Sequence, residues 1–434
     1  MGIGELLLLA AGAVAGTAVI ESVIRRSDVG AALVIGHMVF GSTFPHINRS
    51  TSLGPVNIGS LDVVFVVLLT ASIARLLRIN RFTTAQRIMT VLGLLVIWSI
   101  LRGAGQFGVP GSINDARPYL NFLSFALYFS TVEPRRFLFD RIARMWLAAA
   151  VSLSVLAVAR WGAYAAGVTS GTLASATGTT RVLNSSDALV ILVGALLALP
   201  MIADRARGVG RYLAPALLVV VVLIQHRSVW VVAAAGTVYL LYRQRKIARR
   251  MLTVLVASVA MFGLIVATVF PEQDAEVTEQ LTRSAQSSDT WEWRVAGWEA
   301  LLRDSGPEGP AELLAGRPFG AGWERQLVPG GHIVDVSPHN HYLRTFLRVG
   351  VLGLAALLGL YAIGLRGTLR ASRRGLMGDS VMPPIVLHVV LGVHLLFFIP
   401  YSIPTAQGMF LGLACAVAAA VSSDERRPTI ELTQ

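Results

Sequence analysis

Apolar residues run in long blocks along almost the whole chain, and a short polar or arginine-bearing stretch closes each block. The blocks fall near 3–24, 29–44, 58–77, 88–101, 119–132, 145–168, 187–203, 212–225, 228–242, 251–270, 342–365, 382–399 and 404–421. A helix needs about 20 apolar residues to cross the hydrocarbon core of a bilayer, and it satisfies its own backbone polar groups while doing so. The pattern predicts an all-α chain, a polytopic transmembrane helical bundle of 12–13 spans. The count turns on the short 29–44 block. As a span it puts the N-terminus outside; as a re-entrant segment it puts the N-terminus inside.

One stretch breaks the rhythm. From Pro271 to about His341 the chain carries twelve acidic residues with clustered Gly and Pro. This divides it into 1–270 with helices 1–10, a large loop over 271–341, and 342–434 with the last helices and a short tail. Connections in compact domains run to about 4–6 residues, so a loop this long is functional or disordered. Within it, Thr290 to Arg303 sets Trp291, Val295, Trp298 and Leu302 on one helical face, with Glu292 and Glu299 turned away. That predicts an amphipathic helix, lying on the membrane surface or packed on the protein's own core.

Composition strengthens the membrane reading. Of 434 residues, 54% are hydrophobic and only 14% charged, with a mean hydropathy of +0.63. Soluble domains carry about 25% charge, so an aqueous enzyme is excluded. The net charge of +12 invites a nucleic-acid partner until its distribution is read. Of the 37 basic residues, 22 lie in six alternate short loops and two in the tail, while the intervening loops share ten. The positive-inside rule makes the arginine-rich loops cytoplasmic and the large loop external. Topology accounts for the charge, and no nucleic acid is expected. The single cysteine, Cys415, excludes an intramolecular disulfide. The first apolar block has no basic n-region and reads as a helix, not a cleaved signal.

Absences narrow the chemistry. The chain has no GxxxxGK[ST], HExxH, CxxC or Asp-x-Asp, so nucleotide-driven transport and the common metal sites have no local signature. His339 and His341 are two residues apart and would point to different sides of a helix. No metal and no cofactor is expected. The external arginines say more. Arg227, in Gln225-His226-Arg227-Ser228, is squeezed between two apolar blocks, and a guanidinium there must face a cavity or a partner. Arg294 lies one turn before Trp298, and Arg181 and Arg117 precede two spans. The sharpest string is Ser337-Pro338-His339-Asn340-His341-Tyr342-Leu343, at the junction of the large loop and the next span. A histidine at such a boundary titrates near neutrality and can take a proton from a hydroxyl. Asn340 and Tyr342 would orient it or bond a sugar. The bland alternative is a turn, since Pro338 and Asn340 are good turn formers and Tyr342 a good interfacial anchor.

The run HNHYLRTFLRVGVLGL resembles the HNxYLxxxxxxGxxGL signature of the O-antigen ligase and O-antigen polymerase superfamily, integral membrane glycosyltransferases. Arg227-Ser228 opening a span, Arg294-x-x-x-Trp298 in the large loop, and Arg181 ahead of Asn184 agree with it in order. The likeness covers about Arg181 to Gly353 by motif and the whole chain by topology. Two positions depart. An acidic residue is frequent in the family where Arg348 stands, and the family's asparagine-proline-asparagine turn reads Asn184-Ser185-Ser186-Asp187 here.

The resemblance implies transfer of a preassembled glycan from a polyprenyl diphosphate carrier to a glycan or glycolipid acceptor, on the external face of a bacterial plasma membrane. It implies catalytic roles for His339, Arg227 and Arg294, with Asn340, Tyr342, Arg181, Arg117 and Trp298 around the substrates. Guanidinium forks would neutralise the departing diphosphate without a metal, and in-line displacement would invert the anomeric centre. A polymerase joining repeat units differs from a ligase only in its acceptor. The competing class is a glycan transporter, which predicts charges buried along a path and discontinuous helices.

Overall fold

The structure is a computed structural model, and it describes residues 16–45, 51–53, 56–79, 81–168, 173–174, 180–203, 212–245, 289–326, 333–378, 380–402 and 405–424, with part of 248–260. After a helix over 16–25 come α1 (Ser27–Thr43), α2 (Ser60–Leu76), α3 (Thr84–Phe107), α4 (Val109–Ser130), α5 (Arg136–Ala165), α6 (Ser185–Ala198), α7 (Leu213–Leu223) and α8 (Arg227–Arg243). Then follow α9 (Asp289–Ser305), α10 (Pro310–Ala315), α11 (His341–Arg373), α12 (Pro384–Phe397) and α13 (Gln407–Asp424). Three two-stranded antiparallel hairpins sit in the connections: β1 (Thr51–Leu53) with β2 (Val56–Ile58), β3 (Leu173–Ala174) with β4 (Thr180–Arg181), and β5 (Glu324–Gln326) with β6 (Ile333–Asp335).

The described residues of the apolar blocks fall mainly on helices; most of the 3–24 and 251–270 blocks lies outside the described residues. Among the described residues four helices, Thr84–Phe107, Arg136–Tyr164, Ser185–Ile202 and His341–Arg373, are long and apolar enough to cross a membrane. The shorter apolar helices Leu213–Leu223, Pro384–Phe397 and Gln407–Ser423 pack among them. α6 is apolar all round and is buried from Asp187 to Ala198, which makes it the axis of one half, against α5, α7 and α8. α4 holds the other half, against α13, α3 and α2. Large apolar side chains point outward from the helices, with Leu94 60%, Val155 64% and Val231 69% exposed. Water penalises such a belt and a bilayer does not.

The connections that hold Arg26, Arg75, Arg135, Arg141 and Arg374 gather at one end. There Arg75 donates to the carbonyls of Val23 and Ile24 and to the Tyr128 hydroxyl, closing the C-terminus of the first helix. Arg141 pairs with Asp28 at 2.8 Å, and Asp140 accepts from Ser380 and from the Val381 amide. The segments around Arg181, Arg227, Arg294 and His339 meet at the opposite end.

Two expectations need correction. The polar stretch between the 88–101 and 119–132 blocks, which holds Arg102 and Arg117, is not a loop. α3 runs to Phe107, Gly108 turns the chain with φ +83°, and α4 begins at once with Pro110 in its first turn. The polar half of α4 is covered by the 316–323 segment and α11, so its burial is tertiary and leaves no hydropathy signal. Likewise the face that α9 buries is rotated from the expected one: Gly297, Ala300 and Leu301 are inside, while Trp291 and Leu302 are 50% and 47% exposed. Of the 271–341 stretch, the described part packs on the helices, through α10 against α11 and through Arg317 N–H to Leu347 O at 2.7 Å.

α11 is two rods, broken at Gly350 with φ +73° and ψ −171°. The break frees the Arg348 carbonyl, which accepts from Ser99 Oγ at 3.0 Å. A Cβ at Gly350 would collide with the Leu314 carbonyl and would hold a conformation only glycine tolerates. Gly350→Ala is therefore expected to destabilise the bundle by more than about 1–3 kcal/mol, read as lost monodispersity and a lowered melting temperature of the purified protein; an unchanged melt would show that the break is not needed.

Candidate functional site

Three of the arginines singled out by sequence converge. Arg181 at the end of β4, Arg227 at the first position of α8 and Arg294 in the second turn of α9 line one cavity of about 400 Å³. Ser228, Trp291, Tyr401 and the apolar side chains Val231, Val232, Leu396 and Ile399 complete its wall. No carboxylate is among these lining residues. Local structure explains the placement of each guanidinium. Arg160 bonds the carbonyls of Val182 and Ser42 at 2.9 and 2.8 Å, which fixes the backbone beside Arg181. The His226 ring meets the Leu183 carbonyl at 3.0 Å and holds the turn before Arg227 against the same strand end.

Tyr401 lies at the centre. The Arg294 guanidinium rides over its ring at 5.1 Å, Phe397 stacks on it at 4.6 Å and His226 meets it edge-on at 6.4 Å. Burial pulls the Arg181 pKa below its ordinary value; the Tyr401 phenol works against that shift, and the charges of Arg294 and Arg227 add to it. Three like charges within mutual reach raise the local potential, and an anion in the cavity would be drawn to all of them.

His339 is outside the cavity lining but is wired to it. Trp298, one turn beyond Arg294 on α9, donates its indole N–H to the Pro338 carbonyl at 2.6 Å, so it is a positioning residue for the turn that carries His339. Its ring also meets Trp291 edge-on at 5.4 Å. His339 is half-buried and sits at φ +49°, in the left-handed region that costs a non-glycine residue strain. Its pKa is lowered, first by burial and then by the charges of Arg294, Arg325 and Arg344, which keeps the imidazole neutral at neutral pH. Arg325 itself bolts the β5–β6 hairpin down through the carbonyls of Trp323 and Val336.

Four other sequence-picked residues are occupied elsewhere. Asn340 caps α11, accepting from the Leu343 amide at 2.9 Å, and Tyr342 donates its hydroxyl to the Leu395 carbonyl at 2.6 Å. Neither lines the arginine cavity; the turn-and-anchor reading describes both. Arg117 pairs with Asp62 at 2.9 Å, away from the other three arginines. His341 is a core ring packed on Tyr119, Phe122 and Phe398. The Asn184-Ser185-Ser186-Asp187 turn is a capping box at the start of α6, with Asp187 also accepting from Ser42 at 2.6 Å.

Sequence reasoning passed over the cluster that frames the site. Asp115 of α4 pairs with Arg344 at 3.0 Å and Arg348 at 2.7 Å, and accepts from the Gly320 amide at 3.3 Å. Trp323 covers Arg348 at 4.0 Å, and Arg348 donates to the Gly322 carbonyl at 2.6 Å. No family model matches the chain, and no curated protein matches it.

Removing one member of a buried ion cluster leaves charge unpaired, at about 3–5 kcal/mol. Asp115→Ala, which strands two guanidiniums with side chains 9% and 2% exposed, is expected to lower the melting temperature far more than Asp62→Ala, whose partner Arg117 is 27% exposed. Equal effects in a thermal melt would refute the framing role.

Proposed function

We propose that the protein is an integral membrane glycosyltransferase of the O-antigen ligase and polymerase type, moving a preassembled glycan from a polyprenyl diphosphate to an acceptor sugar hydroxyl at the outer face of a bacterial plasma membrane. The observation that carries the reading is the meeting of Arg181, Arg227 and Arg294 in one cavity whose remaining wall is largely apolar. Such a wall suits the first prenyl units, and the guanidiniums suit the diphosphate. The ordered motifs ending in His339-Asn340-His341-Tyr342-Leu343 support the same class.

In this mechanism the acceptor oxygen attacks the anomeric carbon and its proton passes to the neutral His339 imidazole. The bond from that carbon to the diphosphate oxygen breaks in line, and the electron pair leaves on the diphosphate. Arg227 and Arg294, with Arg181 behind them, neutralise that growing charge, the task a divalent cation performs in metal-dependent enzymes. One displacement inverts the anomeric configuration. Trp298 and Tyr401 act through others: Trp298 sets the His339 turn, and Tyr401 seats Arg294.

A glycan transporter is the second reading, favoured by the break in α11 at Gly350 and by the buried Asp115, Arg344 and Arg348. The reactions separate the classes. Purified protein given a short glycan on synthetic polyprenyl diphosphate, with EDTA present, is expected to form a new glycosidic bond. Growth on the donor alone marks a polymerase, and transfer only to a distinct acceptor marks a ligase. Glycan movement across liposomes with no bond formed would replace the enzyme by the transporter.

Arg227→Ala, Arg294→Ala and His339→Ala are each expected to cut transfer by about 10²-fold or more while the protein stays folded; full activity of His339→Ala would remove the base assignment. The pH profile gives an independent check. Because the His339 pKa is lowered, the base form persists below pH 6.5, so kcat/KM is expected to hold down to that pH and to fall only beneath it. An acid limb above pH 6.5 would exclude this histidine.

A further inference from the structure

α2 and α3 are neighbours in sequence, yet they hardly touch. Each packs on α4 instead, and the two leave between them a cleft of about 350 Å³. Phe65 and Ile73 of α2 form one wall, Met89 and Ile97 of α3 the other, and Leu120 and Leu127 of α4 the floor. Gly93 widens the cleft, since a Cβ there would meet nothing within 4 Å. The two hydroxyls along it are spent on their own helices: Thr90 donates to the Gln86 carbonyl at 2.9 Å and Ser124 to the Asn121 carbonyl at 3.0 Å. What remains is a hydrocarbon wall. From Phe65 to Leu77 it rises about 18 Å, at about 1.5 Å per residue. That is close to the hydrocarbon depth of one leaflet, half of about 30 Å.

One end of the cleft is charged. Leu77 and Phe82 line it there, and the turn that carries them also carries Arg78 and Arg81, with Arg87 in the opening turn of α3. All three arginine side chains are exposed. From Val63 to Asn114 the chain has five arginines and no acidic residue. Among the described residues no carboxylate pairs with Arg78, Arg81 or Arg87, whereas at the same end Arg25 pairs with Glu21, Arg135 with Glu133 and Arg141 with Asp28. An empty cleft forfeits dispersion contacts along its whole wall, and unpaired guanidiniums at a membrane surface attract anionic headgroups. One ligand answers both, an anion joined to a hydrocarbon chain. A soluble anion has no need of the cleft. A neutral lipid has no need of the arginines, and an apolar helix from a second copy would bring them no counter-charge.

We infer that the cleft between α2 and α3 and the arginines at its charged end bind one anionic phospholipid, with an acyl chain laid against Phe65, Ile73 and Leu127 and the phosphate at Arg78, Arg81 and Arg87. The site lies at the opposite end of the bundle from the arginine cavity and is independent of the glycosyltransferase reading. It fills the space that the diverging hairpin leaves open, and so braces α2 and α3 on α4.

The test titrates the full-length protein, purified in detergent, with dioleoyl phosphatidylglycerol and with dioleoyl phosphatidylcholine, and resolves each bound lipid by native mass spectrometry. The first phosphatidylglycerol is expected to bind about tenfold or more tighter than the first phosphatidylcholine. The combined variant Arg78→Gln, Arg81→Gln, Arg87→Gln is expected to erase that preference. The control Arg25→Gln, Arg135→Gln, which removes two exposed arginines from the same end, is expected to keep it. Gly93→Leu fills the cleft and is expected to weaken both lipids by about tenfold or more, with a melting temperature unchanged or raised because leucine is the better helix former. Equal affinity for the two lipids would overturn the site. So would a preference that survives the loss of the three arginines, or one that the control abolishes as fully. Undiminished lipid binding by Gly93→Leu would overturn it too, and a lowered melting temperature of that variant would show a cleft with no room for a chain. Tighter binding of polyprenyl monophosphate than of phosphatidylglycerol would give the cleft to the carrier lipid, and conversion of a dimer to a monomer by Gly93→Leu would give it to a second copy; either result overturns the phospholipid.

Discussion

The ion cluster around Asp115 is the constraint on which the rest of the architecture depends. One carboxylate on α4 faces Arg344 and Arg348 on α11 and the Gly320 amide of the connecting segment, so three pieces of chain distant in sequence share one charge. In a low-dielectric interior two guanidiniums are tolerable only if a counter-charge and carbonyl acceptors are close. Pro318 and Gly322 carbonyls provide the acceptors for Arg348, and Trp323 closes the cluster from outside. The N-terminal rod of α11 is therefore fixed in position, and with it the turn that carries His339.

The arginines divide into two kinds by what faces them. Arg75 is spent on the end carbonyls of the first helix, Arg141 and Arg117 on Asp28 and Asp62, and Arg344 and Arg348 on Asp115. Those are structural. Arg294 is instead seated over the Tyr401 ring, and with Arg181 and Arg227 it lines an open space. An aromatic ring attracts a cation without neutralising it, so this seat orients the Arg294 guanidinium and leaves its charge available to a ligand.

The bundle was legible because a bilayer imposes a one-dimensional rule. Apolar blocks long enough to span it are visible without any tertiary information, and their described residues fall mainly on helices. Part of the site was legible for a related reason: Arg227 stands between two apolar blocks, where a charge needs a purpose, while Arg181 and Arg294 were marked only by their order in the motifs. The polar half of α4 was not, because its burial comes from the 316–323 segment more than two hundred residues away. Asn340 and Tyr342 stand in the string that reads most like chemistry, and tertiary structure gives their side chains a helix cap and the Leu395 carbonyl.

By itself the sequence determined that the chain is helical and apolar enough for a membrane, and that its arginines fall into alternating sets, since both properties are sums over neighbouring residues. Tertiary structure decided which charges meet. Asp115 reaches Arg344 and Arg348, Tyr401 seats Arg294, and Trp298 holds Pro338 beside His339 only after the helices pack. Hydropathy acts residue by residue along the chain. Ion pairing and hydrogen bonding act over a few ångströms in space, and no local pattern records which residues the fold will bring within that reach.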